Sequence, residues 1–256
     1  MSVLSTHKLT VSAGGRILCE SLDLTVEPRQ LWAVLGQNGS GKSTLLLTLA
    51  GLIHAPHGGR VHLRERPLEN WSRRDLAQYR AVLLQDTETF FPTSVLDSAL
   101  SGRFAHHRRW WRDSREDIAA ARAALAAVGL SDFAARRLDT LSGGERRRVA
   151  LAAVLAQDPT LYLLDEPGNH LDIKHHVMAL ELIQGMVKER NRAALVVMHD
   201  VNMALRFCDH ALLLFGDGRT LAGPTDQVVN EANLADLYQY PVRRVTAAGC
   251  SVFLPA

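Results

Sequence analysis

The stretch Gly36-Gln-Asn-Gly-Ser-Gly-Lys42-Ser43 constrains this 256-residue chain more than any other, because it fits G-x-x-x-x-G-K-[ST] at every position. It follows a continuous apolar run, Leu31-Trp-Ala-Val-Leu35, which reads as a strand buried on both faces. It precedes Lys42-Ser-Thr-Leu-Leu-Leu-Thr-Leu-Ala50, which reads as a helix with Gly51 as its stop. In that setting the glycines let backbone N–H groups turn inward around a phosphate chain. The helix aims its positive end at the same anion. Gly36, Gln37, Asn38, Gly39, Ser40, Gly41, Lys42, Ser43 and Thr44 are therefore the candidate phosphate-binding residues. Lys42 should reach the β- and γ-phosphates, and Ser43 should ligate Mg²⁺. A Gly-rich turn with an incidental lysine is the plain alternative. Against it, Lys42 is one of only four lysines, with Lys8, Lys174 and Lys188, and it falls at the required place.

The remaining pattern is α/β. Residues 3–35 read as short strands around turns at Gly14-Gly15 and Glu27-Pro28. From about residue 87 to 155 the chain turns rich in Ala, Leu and Arg, and Ala119–Val128 ends at Gly129, so we read a helical insert there. Strand signals return at Leu161–Leu164 and Ala193–Met198, with a helix over Leu171–Lys188 between them. Ala211–Phe215 and Thr220–Ala222 flank Gly216-Asp-Gly218, a hairpin signal. Strands alternating with helices imply a parallel core.

Composition removes several classes. Apolar residues make up 47% and charged residues 22%, ordinary values that argue against disorder. The net charge of +2 gives no case for a nucleic-acid binder. No apolar run approaches 18 residues, and the start lacks the charged-then-apolar order of a signal peptide. Three scattered cysteines, Cys19, Cys208 and Cys250, suggest a reducing compartment and no zinc site.

A second motif is Leu141-Ser-Gly-Gly-Glu145, ahead of a helical run that stops at Asp158-Pro159. Ser142 and Glu145 have the spacing of a capping box, which satisfies orphan N–H groups at a helix start. A capping box does not need two consecutive glycines. Gly143 and Gly144 let a backbone approach a ligand closely, so the motif reads as a second anion site.

With both motifs in view, the chain resembles the ATP-binding-cassette ATPases, whose signature sequence Leu141–Glu145 matches. The 100 residues from Lys42 to Ser142 suit a transporter cassette. Further matches follow in order: Gln85 at the Q-loop, Leu161–Glu166 as the Walker B strand, Asn169-His-Leu-Asp172 as the D-loop, and His199 as the switch histidine. Taken singly, Gln85 fits a loop amide, Asp165-Glu166-Pro167 a strand-ending turn and His199 an ordinary half-buried histidine. Their joint order carries the resemblance, from about Leu9 to Val245.

The resemblance implies a P-loop NTPase with a RecA-like core and an antiparallel β subdomain, the core at about 1–86 and 156–256 and the helical subdomain at about 87–155. It implies ATP and Mg²⁺ as ligands. Asp165 should hold the metal through water, Gln85 should touch the metal or the attacking water, Glu166 should act as base, and His199 should contact the γ-phosphate. Ser142, Gly143, Gly144, Glu145 and Asp172 should serve the ATP of a second copy, head to tail. Separate membrane permease subunits are expected, with indirect service to a periplasmic or surface binding protein, at the cytoplasmic face of the bacterial inner membrane. No nucleic acid is expected.

Two positions depart from the family pattern: Ala13 stands where an adenine-stacking aromatic is usual, and Gly168 where Thr usually follows Glu-Pro. Ser101–His107, Asn169–Ile173 and Asn233–Tyr238 look like the branch that energises uptake of ferric siderophores, haem and cobalamin. The Arg103–Arg115 stretch, with two tryptophans and His106-His107, reads as a solvated face or a surface near the permease. His175 and His176 read as helix-surface residues. A small-molecule kinase would explain the phosphate loop but not Leu141–Glu145. A translation-factor ATPase usually carries two cassettes, and this chain has one. An exporter half remains as an alternative to the importer.

Overall fold

The computed structural model describes residues 1–54, 58–85, 92–106, 113–247 and 250–256. The expected start of the helical insert at 87 and residues 107–112 of the Arg/Trp stretch lie outside them.

Leu4–Ala13 (β1) and Arg16–Val26 (β2) form a long antiparallel pair, rather than the several short strands expected. Register shifts keep the pairing continuous past Lys8 and Ser21, which sit at φ 45° and 47°. Leu31–Gly36 (β3) leads into Lys42–Leu49 (α1). Arg60–Leu63 (β4) and Arg66–Pro67 (β5) extend the first sheet, giving the order β2-β1-β4-β5. Arg73–Tyr79 (α2) precedes Arg80–Leu83 (β6), a strand too short for its periodicity to be read in the sequence.

Among the described residues, three α-helices follow: Val95–Leu100 (α3), Arg115–Ala127 (α4) and Gly143–Gln157 (α5). After them come Leu161–Asp165 (β7), Ile173–Glu189 (α6), Ala193–Val197 (β8), Val201–Phe207 (α7), His210–Leu214 (β9) and Thr220–Pro224 (β10). Thr225–Val228 (α8) and Glu231–Tyr238 (α9) lead to a terminal hairpin, Val242–Ala247 (β11) with Cys250–Pro255 (β12).

Among the described residues, six strands form a second sheet in the order β10-β9-β3-β8-β7-β6. It is parallel except for β10, which returns antiparallel to β9 through the expected hairpin. β3, β7 and β8 are buried at every residue. Successive side chains of a strand point to opposite faces. Leu31, Ala33 and Leu35 thus join one apolar core with α4, α5, α6 and α7, while Trp32 and Val34 join another with β1, β2 and Leu45, Leu46 and Leu49 of α1. This two-sided burial explains the uninterrupted apolar runs in the sequence. It also aligns the carboxyl ends of β3, β7 and β8, the edge at which open α/β sheets bind ligands.

α3, α4 and α5 share the first core with the sheet. Arg103 ties them together, donating to Asp117 Oδ1 on α4 at 2.8 Å and to the Ala156 carbonyl on α5 at 2.8 Å. Burial works against ionisation of Asp117, but the hydrogen bonds from Arg103 and Ser114 win and hold its pKa at about 2.

Candidate functional site

The loop after β3 turns through Gly39 at φ 77° and Gly41 at φ 99°, which only glycine adopts without strain. Gly41 is the N-cap of α1, so the helix N-terminus opens onto the loop. Lys42 is buried and curls back over the loop, donating to the carbonyls of Gly36 and Gln37 at 2.9 Å each. Burial pushes its amine below the ordinary lysine range, opposed by the carboxylates of Glu166 and Asp165. A cavity of about 480 Å³ opens in front of the loop, within the range of small-molecule sites. Asn38, Gly39, Gly41, Lys42, Ser43 and Thr44 line it from the loop side, and Gln85, Glu166 and His199 from across.

Asp165 is the last residue of β7 and is buried, and its Oδ1 has no hydrogen-bond partner. Burial raises its pKa, and the hydroxyl of Ser43 beside it works in the other direction. A buried carboxylate oxygen without a partner, next to a hydroxyl, fits a hard cation such as Mg²⁺.

Glu166 follows at φ 48°. Its side chain is only 11% exposed and takes hydrogen bonds from three directions. His199 Nε2 stands 2.6 Å from Oε1, and Oε2 accepts from Asn169 Nδ2 at 3.1 Å and from Gln85 Nε2 at 3.4 Å. An ionised carboxylate only accepts, so wherever Glu166 is ionised His199 Nε2 is the donor of the pair. His199 lies two residues beyond β8 and is half exposed.

Ser142, Gly143, Gly144 and Asp172 do not line this cavity. Ser142 caps α5 in a capping box: its Oγ accepts from the Glu145 N–H at 3.3 Å, and its own N–H donates to Glu145 Oε2 at 2.8 Å. That backbone bond is the main reason the Glu145 carboxyl is held below its ordinary value. A Cβ on Gly144 would stand 3.0 Å from the carbonyl of His170, so glycine lets the α5 start close on the D-loop. Asp172 caps α6, accepting from the backbone N–H of His175 at 2.9 Å and from its ring at 2.8 Å. It is exposed, as is Ile173 beside it at 81%.

Sequence reasoning missed several residues. Arg147 is buried and clamps four carbonyls: one guanidinium nitrogen takes Leu84 and Gln85 (3.0 Å), the other takes Asp165 and Glu166 (2.7 Å). It thereby joins α5, the segment around Gln85 and the end of β7. Nothing in Arg146-Arg-Arg148 marks the middle arginine as the buried one; only the docking of α5 decides. Arg16 and Leu18 line the cavity with Ala13, and the guanidinium of Arg16 is tied to the Gly216 carbonyl at 3.1 Å. Gln37, expected among the phosphate-binding residues, does not line the cavity and donates its side-chain amide to the Leu237 carbonyl of α9 at 2.9 Å. His176 is half-buried against Gly168 and is not a plain helix-surface residue.

Known proteins are similar along the whole chain. The ABC transporter family model matches residues 19–169, which include the phosphate loop, Gln85 and Leu141–Glu166. The iron(3+)-hydroxamate import ATP-binding protein FhuC of Bacillus subtilis (strain 168) is 33% identical over 96% of this chain and 91% of its own. The hemin import ATP-binding protein HmuV of Streptomyces coelicolor is 39% identical over 91% of this chain and 82% of its own. A chain from an inward-facing metal-chelate type ABC transporter superimposes with a TM-score of 0.86 at 27% identity, covering 100% of this chain and 98% of that one. The chain therefore belongs to the ABC transporter family, as an ATP-binding ATPase.

Proposed function

We propose that this chain is the ATP-hydrolysing subunit of an importer for an iron-siderophore, haem or related metal-chelate cargo of the cobalamin type. The observation that carries the hydrolytic reading is the convergence of Gln85, Asn169 and His199 on Glu166, across a cavity from the phosphate loop. The cargo class rests on relatives named for iron(3+)-hydroxamate and hemin import.

Phosphoryl transfer to water asks the protein for positioning and charge stabilisation. Lys42 and the loop N–H groups hold the phosphates. Asp165 through water, Ser43 and Gln85 are the residues that would hold Mg²⁺, which would supply neutralisation of phosphate charge. Glu166 takes the proton of the attacking water. The imidazole of His199 borders the same cavity, where a γ-phosphate competes with Glu166 for its Nε2–H.

Ser142, Gly143, Gly144, Glu145 and Asp172 act on the ATP of a second copy, so that two chains, head to tail, complete two sites. Ser142, Gly143 and Asp172 are exposed outside the chain's own cavity, which supports this. The membrane permease docks on the groove between β6 and the segment about 87–155, proposed as the helical subdomain. Leu84, Phe104 and Arg146 line that groove of about 610 Å³, and Phe104 is 66% exposed. Among the described residues no helix is long and apolar enough to cross a membrane, which suits a subunit peripheral to the cytoplasmic face of the inner membrane. A substrate-binding protein then acts only through the permease.

The test is reconstitution with the permease in vesicles. ATPase activity should rise when a binding protein loaded with ferric siderophore, haem or cobalamin is added. No stimulation by any loaded binding protein contradicts the importer reading.

A further inference from the structure

Gly168 is a glycine for want of space. Its φ lies outside the left-handed region, so its backbone does not demand glycine. A Cβ there would overlap the Cδ2 and Nε2 atoms of His176 and stand 2.7 Å from Cγ. Gly168 is buried, and the imidazole occupies the slot that a side chain at 168 would fill.

The slot lies under the turn that carries Glu166. In that turn Glu166 sits at φ 48° and His170 at φ 62°, both unfavourable for residues with a side chain. Such conformations persist only where the surroundings over-determine them. The turn closes on itself through Asn169 N–H to the Glu166 carbonyl at 3.1 Å and Leu171 N–H to the Gly168 carbonyl at 3.2 Å. Arg147 grips it from α5. His176 supports it from α6, where its backbone N–H bonds the Asp172 carbonyl at 2.9 Å. A cavity of about 280 Å³ runs alongside, lined by Glu166, Gly168, Asn169, His176 and His199, so loss of the imidazole leaves the turn room to move.

We propose that His176 is a positioning residue for hydrolysis: seated in the space left by Gly168, its ring holds the Glu166–His170 turn and so fixes Glu166 against His199 and Asn169. The proposal rests on Glu166 being the base. His176 does not line the cavity in front of the phosphate loop. Its effect therefore falls on turnover and spares nucleotide binding.

The experiment measures kcat and KM for MgATP on the full chain with variants at both positions. His176→Ala lowers kcat about 10-fold with KM unchanged, a partial shift of Glu166 set against the about 10²-fold cost of a full 1 Å misplacement. His176→Phe, which refills the slot with a ring, recovers most of that loss. Gly168→Thr lowers kcat further, because its side chain cannot coexist with the imidazole. Adding His176→Ala to it then restores kcat to within about 3-fold of His176→Ala alone, the coupling expected of two groups sharing one space. If Gly168→Thr does not fold, the Ala and Phe variants still decide. Wild-type kcat in His176→Ala overturns the proposal. So does a His176→Phe variant no better than Ala, or a double variant no better than Gly168→Thr. Wild-type turnover in Glu166→Gln would instead overturn the role of Glu166 and leave the Gly168–His176 packing standing.

Discussion

His199 Nε2 stands 2.6 Å from Glu166 Oε1, so the two side chains expected to face the γ-phosphate and its attacking water face each other. The pair spans the ends of β7 and β8, parallel neighbours whose register places Asp165 opposite Val197. Binding of ATP has to divide this pair between water and phosphate.

Removing Lys42 should affect binding first. Its amine is buried against the loop and ready to exchange two carbonyls for phosphate oxygens. A hydrogen bond to a charged group contributes about 1.5–3 kcal/mol. Lys42→Ala should therefore weaken ATP binding about 10- to 150-fold, measured by titration calorimetry. Wild-type affinity would show that the lysine does not meet the nucleotide.

Asp165 should cost the fold stability in the absence of metal. Its folded-state pKa is raised by burial, so its contribution favours the folded chain at low pH and is lost as pH rises through that value. Asp165→Asn should then melt above wild type at pH 8 in chelator. A gain of about 1 kcal/mol, the low end for a buried polar group lacking a partner, is a rise of about 2–4 °C in a chain of this size. The difference should shrink on acidification; a difference that grows would contradict the assignment.

Ser142 has one task that the capping box shows and a second that is proposed, and the two are separable. As a helix cap its loss costs about 1 kcal/mol, which lowers the melting temperature by about 2–4 °C. As a ligand for the ATP of a second copy, its loss should abolish ATP-dependent dimerisation in sizing with light scattering. Ser142→Ala should show both effects while retaining ATP binding to the single chain. A variant that melts lower yet dimerises normally would limit Ser142 to capping.

Arg147→Lys tests the clamp. An ammonium cannot span the two pairs of carbonyls that the guanidinium fork reaches. Leaving buried carbonyls unpaired costs about 1–3 kcal/mol each. We expect a lower melting temperature and a loss of kcat greater than the loss of ATP affinity. Equal melting temperatures for Arg147→Lys and wild type would rule the clamp out.

The parts legible in the sequence are those whose local chemistry is self-contained. Leu31–Ser43 could be read because strand, loop and helix are consecutive, and the hairpin at Gly216–Gly218 because its turn residues are adjacent. Ser142 and Glu145 announced their capping box by spacing alone. Arg147, Asn169 and His176 were not legible in the same way. Each acquires its role from a segment distant in sequence or from a turn whose path the residues do not spell out. The gap left by Gly168 is visible in the sequence only as a departure, and α6 supplies the residue that fills it. The terminal β11–β12 hairpin was missed for a related reason: Asn202 anchors it through the backbone of Phe253, 51 positions away.

Glu166 is proposed to drive hydrolysis in a site that two copies complete. Turnover and sizing of Glu166→Gln with MgATP test it together. A general base contributes about 10²–10⁴ in rate, so hydrolysis should fall by that factor while ATP holds the variant as a dimer. Wild-type turnover would exclude Glu166 as the base, and a variant that stays monomeric with ATP bound would exclude a site shared by two copies.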